Sequence, residues 1–249
     1  KKKKKNKKKK KIELFTIQKN KKIDRIKASS EFSFGLLLSS FRNLVQGTKI
    51  VESGNWRNYE DLIRGNELYK KSLGIIGFGR IGKNIYKYAK SFDMIVKAYD
   101  PNKKKLLKKL NIFSELNSLL KNSDAIIVCV HLNKKTKELC NDSFFKKMKK
   151  NSIFVNTSRG EIVKETSLIK ALKTGIIKSA AVDVIQGEQK KDITKNKLFI
   201  YSKKNKNLTI TPHMAGLTYE SKKLAAKITL SNVDSFFSLK KNFQRDNKN

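Results

Sequence analysis

The chain is poor in several residue types, and each shortage excludes something. Its 249 residues contain two cysteines, two histidines, two prolines and one tryptophan, with 21 acidic side chains against 58 basic ones. Cys129 and Cys140 form neither a Cys-x-x-Cys pair nor a metal-ligand spacing. That excludes a disulfide framework and a cysteine metal site, and it predicts two free thiols in a reducing compartment. No apolar run approaches the roughly 18 residues of a membrane span. The basic start, Lys1 to Lys11 broken only by Asn6, is not followed by the apolar stretch of a secretory signal. The expectation is a cytoplasmic protein with no membrane partner. Because the first residue is lysine and not methionine, a fragment or a processed form is also expected.

Arginine is scarce too: seven against fifty-one lysines, within a net charge of +37. Arginine carries most bidentate recognition of phosphates and bases, and here it is not clustered. With no nucleic-acid-binding motif in view, the basicity reads as lysine-rich solvated faces. It predicts only salt-sensitive, sequence-independent attraction to polyanions and no specific nucleic-acid partner.

Residues 1–11 are like-charged and low in complexity, so disorder is expected there. From Ser30 an apolar-rich helix is predicted, with Ser29 or Ser30 as its N-cap and Phe32, Phe34, Leu36, Leu37, Leu38, Phe41 and Leu44 along it. A polar loop follows from Gly47 to Asn66. Then short, nearly all-apolar runs alternate with helical spacings. The runs are Ser72–Phe78, Met94–Tyr99, Asp124–Val130, Ser152–Val155, Ser179–Val184 and Leu208–Thr211. The helices between them span Arg80–Phe92, Asn117–Leu120, Phe144–Met148 and Ser167–Leu172, and Ser221–Phe237 is a longer final helix. Continuous apolar strands alternating with helices mean a parallel sheet covered on both faces. Six of them suit an α/β, Rossmann-type doubly wound sheet of two βαβαβ halves. The only prolines, Pro101 and Pro212, sit at strand ends, where no ladder N–H is missed. The division expected is 1–28 as a basic tail with a remnant of a further domain, 29–220 as the α/β domain with its lead-in helix, and 221–249 as a C-terminal helix and tail.

One motif carries chemistry in its local context. Gly77-Phe78-Gly79-Arg80-Ile81-Gly82 follows the strand Leu73-Gly74-Ile75-Ile76 and opens a helix. Asp100 ends the next strand, 18 positions after the last glycine. In that setting Gly77 permits a tight turn, Gly79 lets the backbone approach a diphosphate, and Gly82 lets helix and strand pack closely. The helix start, at Arg80 and Ile81, turns its N-terminal N–H groups and positive dipole end toward the phosphates. Asp100 accepts from ribose hydroxyls and repels a 2′-phosphate, which points to NAD over NADP.

These residues, with Ala98-Tyr99-Asp100-Pro101, resemble the D-isomer-specific 2-hydroxyacid dehydrogenases. Three further segments agree in order: Asn156-Thr157-Ser158-Arg159-Gly160, Ala181-Val182-Asp183-Val184 with Glu188, and Thr211-Pro212-His213-Met214-Ala215-Gly216. Glu31 with its apolar helix and Gly54-Asn55-Trp56 fit the family's lead-in helix and Gly-x-Trp loop. The likeness runs from about residue 28 to 238, with phosphoglycerate and hydroxypyruvate-reductase types closest in flavour. It implies hydride transfer between NAD(H) and C2 of a small 2-hydroxy or 2-keto acid, by a protein that dimerises through its cofactor domain. Arg159 would hold the substrate carboxylate, His213 would exchange the proton, and Glu188 would support His213. The residue chemistry agrees, since a guanidinium grips a carboxylate bidentately and an imidazole paired with a carboxylate exchanges protons near neutrality. The resemblance further places Thr157, Ser158, Asp183 and Gly216 around the cofactor and implies no metal. Singly, Arg159 reads as a loop ion pair, Glu188 as a solvated carboxylate and His213 as a capping residue. His131 is read as structural.

The sequence also departs from the pattern. Only 28 residues precede the lead-in helix, so the expectation is that most of the family's substrate domain is missing from this sequence. His131-Leu132-Asn133 stands for a His-x-Pro, and Gln189 for the proline after the glutamate. The alternative function is therefore a truncated, catalytically weak NAD-binding or dimerising remnant, with helix 31–45 as the expected contact.

Overall fold

The computed structural model describes residues 21–189 and 192–246. The lysine run of residues 1–11 lies outside the described residues. The chain divides into two compact units: Ser29–Gly216, and a unit joining Lys1–Ala28 to Leu217–Asn249. In the smaller unit a 3-10 turn, Lys21–Arg25, packs on a 28-residue helix, Tyr219–Asp246. That helix is longer at both ends than the span Ser221–Phe237 read from the sequence.

The larger unit opens with α1 (Ala28–Arg42), α2 (Leu44–Glu52) and α3 (Glu60–Ile63). There follow β1 (Ser72–Ile76), α4 (Arg80–Ser91), β2 (Ile95–Tyr99), α5 (Lys104–Lys109), α6 (Leu116–Asn122) and β3 (Ala125–Val128). The rest is α7 (Asp142–Lys146), β4 (Ser152–Asn156), α8 (Glu165–Lys173), β5 (Ile177–Val182), α9 (Lys197–Lys204) and β6 (Leu208–Ile210). The six strands are all parallel, in the order β2-β1-β3-β4-β5-β6. The third strand of the first half survives as one bridge, Ala98 to Phe113. There the Ala98 N–H donates to the Ile112 carbonyl at 2.7 Å, and the Ser114 N–H to the Ala98 carbonyl at 3.0 Å. The direction of winding reverses between β1 and β3, and at such a crevice open α/β sheets bind ligands.

The strand pleat sorts the apolar residues into two cores. Leu73, Ile75, Ala125, Ile127, Ile153 and Val155 face Phe34, Leu37 and Phe41 of α1 and Ile85 and Ala89 of α4. Ile76, Ile126, Val128 and Phe154 face Leu119, Phe145, Leu168 and Leu198 from the helices on the other side. Every residue of β3 and β4 is buried, which explains why those runs show no polar alternation.

Three expectations need correction around α1. Ser29 and Ser30 lie inside the helix and do not cap it. The Ser33 hydroxyl donates to the Ser29 carbonyl (2.5 Å) and pairs with the Thr157 hydroxyl (2.6 Å), while Ser30 Oγ accepts from Asn84 Nδ2 (3.2 Å). These hydroxyls hold α1 to the sheet domain, so they are not free to cap. Leu44 belongs to a second helix, because Asn43 takes a left-handed conformation (φ 51°) and donates from Nδ2 to the carbonyls of Ile63 and Arg64. The stretch read as a polar loop, Gly47 to Asn66, holds most of α2, a 3-10 turn (Arg57–Tyr59) and α3. The inner face of α1 is packed into the core. Phe34, Leu36, Leu37 and Phe41 are all under 8% exposed, whereas Leu44 and Val51 of α2 are more than half exposed.

At the N-terminal edge of the sheet, Asp124 ties three elements together. Its Oδ2 accepts from the Ser72 N–H (2.7 Å) and hydroxyl (2.8 Å), and its Oδ1 accepts from Lys149 Nζ (2.6 Å). Burial pushes its carboxyl pKa up, but the bonds from Lys149 and Ser72 outweigh that and hold it below the ordinary value. A depressed folded-state pKa stabilises above the unfolded value, about 3.9, and the benefit is lost as pH falls through the folded one. Asp124→Asn should therefore cost about 1–2 kcal/mol at pH 7, allowing for the exposed lysine. The gap in melting temperature from the parent should close as the pH is lowered below 4 in paired thermal melts. An equal gap at both pH values would refute the assignment.

Candidate functional site

Because the strands are parallel, the loops after all six C-terminal ends line one edge of the sheet, and every candidate catalytic and cofactor residue read from the sequence falls on it. Asp100 follows β2, Gly77–Gly82 follow β1, and Cys129 and His131 follow β3. Thr157, Ser158 and Arg159 follow β4, Asp183 and Glu188 follow β5, and His213 to Gly216 follow β6.

The glycine loop has the shape its sequence predicts. Gly77 has φ 92°, and a Cβ there would stand 2.6 Å from the Cys129 carbonyl oxygen. At Gly82 a Cβ would stand 2.2 Å from the Gly77 carbonyl oxygen, so the start of α4 lies directly on the turn. At Gly79, by contrast, a Cβ would meet nothing within 4 Å. The loop is thus crowded toward the sheet and open above the N-terminus of α4, where Gly79 is the N-cap and Arg80 and Ile81 form the first turn. Asp100 closes the side of the loop. Its Oδ2 accepts from the Phe78 N–H and its Oδ1 from the Asn102 N–H, both at 2.9 Å. A carboxylate offers about four acceptor positions, so both oxygens can still receive a ribose hydroxyl. An open cradle of backbone N–H groups beside such a carboxylate fits a dinucleotide.

The loop after β4 is set by Asn156, whose Oδ1 accepts from the Ser158 N–H (3.0 Å) and whose Nδ2 donates to the Arg159 carbonyl (3.1 Å). Ser158 Oγ donates across to the Val128 carbonyl (2.8 Å), and buried Thr157 is occupied by Ser33. Arg159 is exposed, and its Nη1 donates to the Ser158 carbonyl (2.6 Å). Next to it, Gly160 is jammed: a Cβ there would lie 2.1 Å from the Ile185 carbonyl carbon and 2.5 Å from the Gln186 nitrogen. The Arg159 loop therefore rests on the segment that leads to Glu188.

Glu188 and His213, 25 residues apart, meet through Oε1 and Nδ1 at 2.7 Å. His213 is 47% exposed and Glu188 25%. A carboxylate at Nδ1 fixes the ring and leaves Nε2 outside that bond. Backbone geometry helps. His213 lies in the left-handed region (φ 52°), and its N–H donates to the carbonyls of Asp183 (2.9 Å) and Thr211 (3.0 Å).

Asp183 does more than the resemblance implied. It is 1% exposed. Its Oδ1 accepts from the Thr211 hydroxyl (2.6 Å) and the Met214 N–H (3.0 Å), and its Oδ2 from the Ala215 N–H (2.8 Å). In this structure the carboxylate holds the His213 loop. Gly216, at the loop's end, is exposed and sits near Ser29 Oγ, 3.8 Å from where its Cβ would be.

His131 is exposed, and its carbonyl accepts from Thr136 Oγ1 (2.6 Å). Burial pushes the Cys129 thiol up to about 12 and raises that of Cys140 as well, so neither is a thiolate nucleophile at neutral pH. Among the described residues no group of His, Cys, Asp and Glu is arranged to hold a metal ion, and no helix is long and apolar enough to cross a membrane.

Two polar residues of this edge escaped the sequence reading. Glu165 is 7% exposed and binds the Gln186 N–H, and Asn196 bridges the two. A glutamate in the first turn of a helix reads as a complement to the helix dipole. Only the fold shows what it binds.

Residues 34–215 match the family model described as D-isomer specific 2-hydroxyacid dehydrogenase, NAD binding domain. A glyoxylate reductase of Pyrococcus furiosus is 36% identical over 216 residues, covering 84% of this chain and 62% of that protein. A D-3-phosphoglycerate dehydrogenase of Methanocaldococcus jannaschii is 36% identical over 207 residues, covering 82% of this chain and 38% of that one. This chain thus spans less than two thirds of the length of either relative. Among solved structures, D-lactate dehydrogenase from Aquifex aeolicus, complexed with NAD and lactic acid, superposes with a TM-score of 0.77. It is 28% identical, and the match covers 89% of this chain and 69% of that one. With the glycine cradle, the acidic residue after β2 and the matched family model all in one domain, the chain belongs to the D-isomer-specific 2-hydroxyacid dehydrogenases and carries their NAD-binding domain.

Proposed function

We propose that this chain serves an NAD-dependent oxidoreductase that interconverts a small 2-hydroxy acid and its 2-keto acid, with Arg159, Glu188 and His213 as its catalytic residues. The observation that carries this reading is the Glu188–His213 pair at 2.7 Å, beside a loop that presents an exposed arginine. Bound NAD would supply or accept the hydride at C2. Arg159 holds the substrate carboxylate through its planar fork and keeps the C2 oxygen oriented. His213 gives the proton to that oxygen from Nε2 during reduction and takes it back during oxidation. Glu188 keeps the Nδ1–H direction fixed through the cycle. Gly77, Gly79, Arg80, Ile81 and Gly82 face the diphosphate, Asp100 the adenosine ribose. Thr157, Ser158, Asp183 and Gly216 shape the nicotinamide end, Asp183 by holding the loop around it. The names of the relatives point to glyoxylate and 3-phosphoglycerate-type acids as first substrates to try.

The exposure of His213 and Arg159 favours a second reading, in which this chain binds NAD but turns over nothing by itself, since a site open to water loses the benefit of solvent exclusion. We further propose a cytoplasmic location and a homodimer; exposed Leu44, Val51 and Trp56, near one another in sequence, support the homodimer.

The test is a fluorescence titration with NADH at physiological salt, followed by NADH consumption with glyoxylate or hydroxypyruvate. The active reading predicts saturable binding that Asp100→Ala weakens, and turnover that Arg159→Ala removes with NADH affinity unchanged. Binding without turnover would select the second reading. Turnover indifferent to Arg159 would remove the arginine from the mechanism.

A further inference from the structure

We propose that Glu165, buried at the start of α8, is a positioning residue for the Glu188–His213 pair, acting through the peptide that joins Ile185 to Gln186; the proposal rests on reading that pair as the proton-exchanging group. Glu165 Oε1 accepts from the Gln186 N–H at 2.8 Å. Asn196 Nδ2 donates to both Glu165 oxygens, at 2.9 and 3.1 Å, and reaches the Gln186 carbonyl at 3.3 Å. The Gln186 side chain adds a bond from Nε2 to the Val163 carbonyl at 2.7 Å. On its other side the Ile185–Gln186 peptide is pressed against Gly160, where not even a methyl group fits. The peptide is therefore clamped between the Arg159 loop and a buried carboxylate, two residues before Glu188.

The clamp has little freedom to rearrange. Asn196 cannot turn its amide over, because its Oδ1 caps α9 through the N–H groups of Leu198 (2.8 Å) and Phe199 (3.1 Å). Replacing Glu165 by glutamine would oppose an NH2 group to Asn196 Nδ2 or to the Gln186 N–H. Each sets two donors against each other in a half-buried cluster, which weakens the strap. His213 hangs on a separate buried carboxylate, Asp183. Each half of the pair has its own buried carboxylate anchor, and their meeting at 2.7 Å depends on both.

The chain's two histidines make this testable without turnover, since His131 is exposed and serves as an internal reference. With ring-15N-labelled histidine at a pH where both rings are neutral, His213 should carry its proton on Nδ1, held there by Glu188. His131 should show the Nε2–H tautomer that a solvated neutral histidine side chain prefers. Glu188→Gln, as a control, should bring His213 to the His131 pattern. Glu165→Gln should move it most of the way. Asn196→Ser, which keeps a capping oxygen and deletes the bridging amide, should move it part of the way. NADH affinity should change by less than about twofold, as for a site sharing no partners with the substitution.

A wild-type His213 pattern in folded Glu165→Gln overturns the proposal, as does a wild-type protein without the Nδ1–H signature. If Glu165→Gln does not fold, Asn196→Ser decides in the same way. Turnover plays no part in this readout. A chain that shows the tautomer shifts but never consumes NADH would sink the dehydrogenase reading and leave the clamp intact.

Discussion

Replacing His213 by asparagine is expected to cut NADH-linked reduction of a 2-keto acid by about 100- to 10,000-fold, the usual share of a positioned acid–base group, with NADH affinity unchanged. Asparagine is the informative choice. It tolerates the left-handed backbone that His213 adopts (φ 52°) better than alanine or glutamine would. The backbone N–H that bonds to Asp183 and Thr211 stays in place, so the loop keeps its shape. What disappears is Nε2, the ring atom left outside the Glu188 bond. Asparagine has no proton to exchange near neutral pH. The measurement is kcat/KM for the keto acid beside a direct NADH titration. A loss confined to NADH binding, with kcat preserved, would show that His213 shapes the cofactor pocket and moves no proton.

The second large effect is at the helix–strand contact. Gly82→Ala should abolish saturable NADH binding and cost about 1–3 kcal/mol of stability, the range for overpacking a tight contact. The new methyl would sit 2.2 Å from the Gly77 carbonyl oxygen and 3.3 Å from Ile75 Cγ2. The oxygen belongs to the backbone of the turn, so it cannot yield by a rotamer change. The start of α4 must lift away, which carries off the N–H groups that face the diphosphate. Gly79→Ala is the matched comparison. Its methyl meets no protein atom within 4 Å, so the melting temperature should hold while NADH affinity falls, because the methyl stands in the open cradle. Paired thermal melts and NADH titrations read both quantities. If Gly82→Ala bound NADH like the parent, the close approach of α4 to β1 would not be what the cofactor site requires.

Much of this molecule is legible from its sequence. Apolar runs such as Ala125–Val128 and Ser152–Asn156 can be satisfied only between two layers of helix, so they imply the parallel sheet before any contact is seen. The glycine loop and Asp100 are legible for a similar reason, since local backbone demands dictate glycine at Gly77 and Gly82. Arg159, Glu188 and His213 are legible as candidates because each follows a strand of one parallel sheet.

The tertiary structure alone decided the rest. Whether Glu188 and His213 touch depends on two loops 25 residues apart. That contact is set by Asp183 and by the Gly160 packing, and no local pattern encodes either. The region from Gly47 to Asn66 reads as loop because its helices are short and bounded by polar residues. They form because Asn43 breaks α1 and binds the far end of the segment. Ser30 looks like a helix cap by composition, yet it lies within α1 and bonds across the domain to Asn84. Glu165 looks like a surface carboxylate, yet it is enclosed by a loop that arrives 21 residues later. In each case the sequence specifies what a residue can donate or accept. Which partner it meets is decided by how the sheet brings distant loops to a common edge.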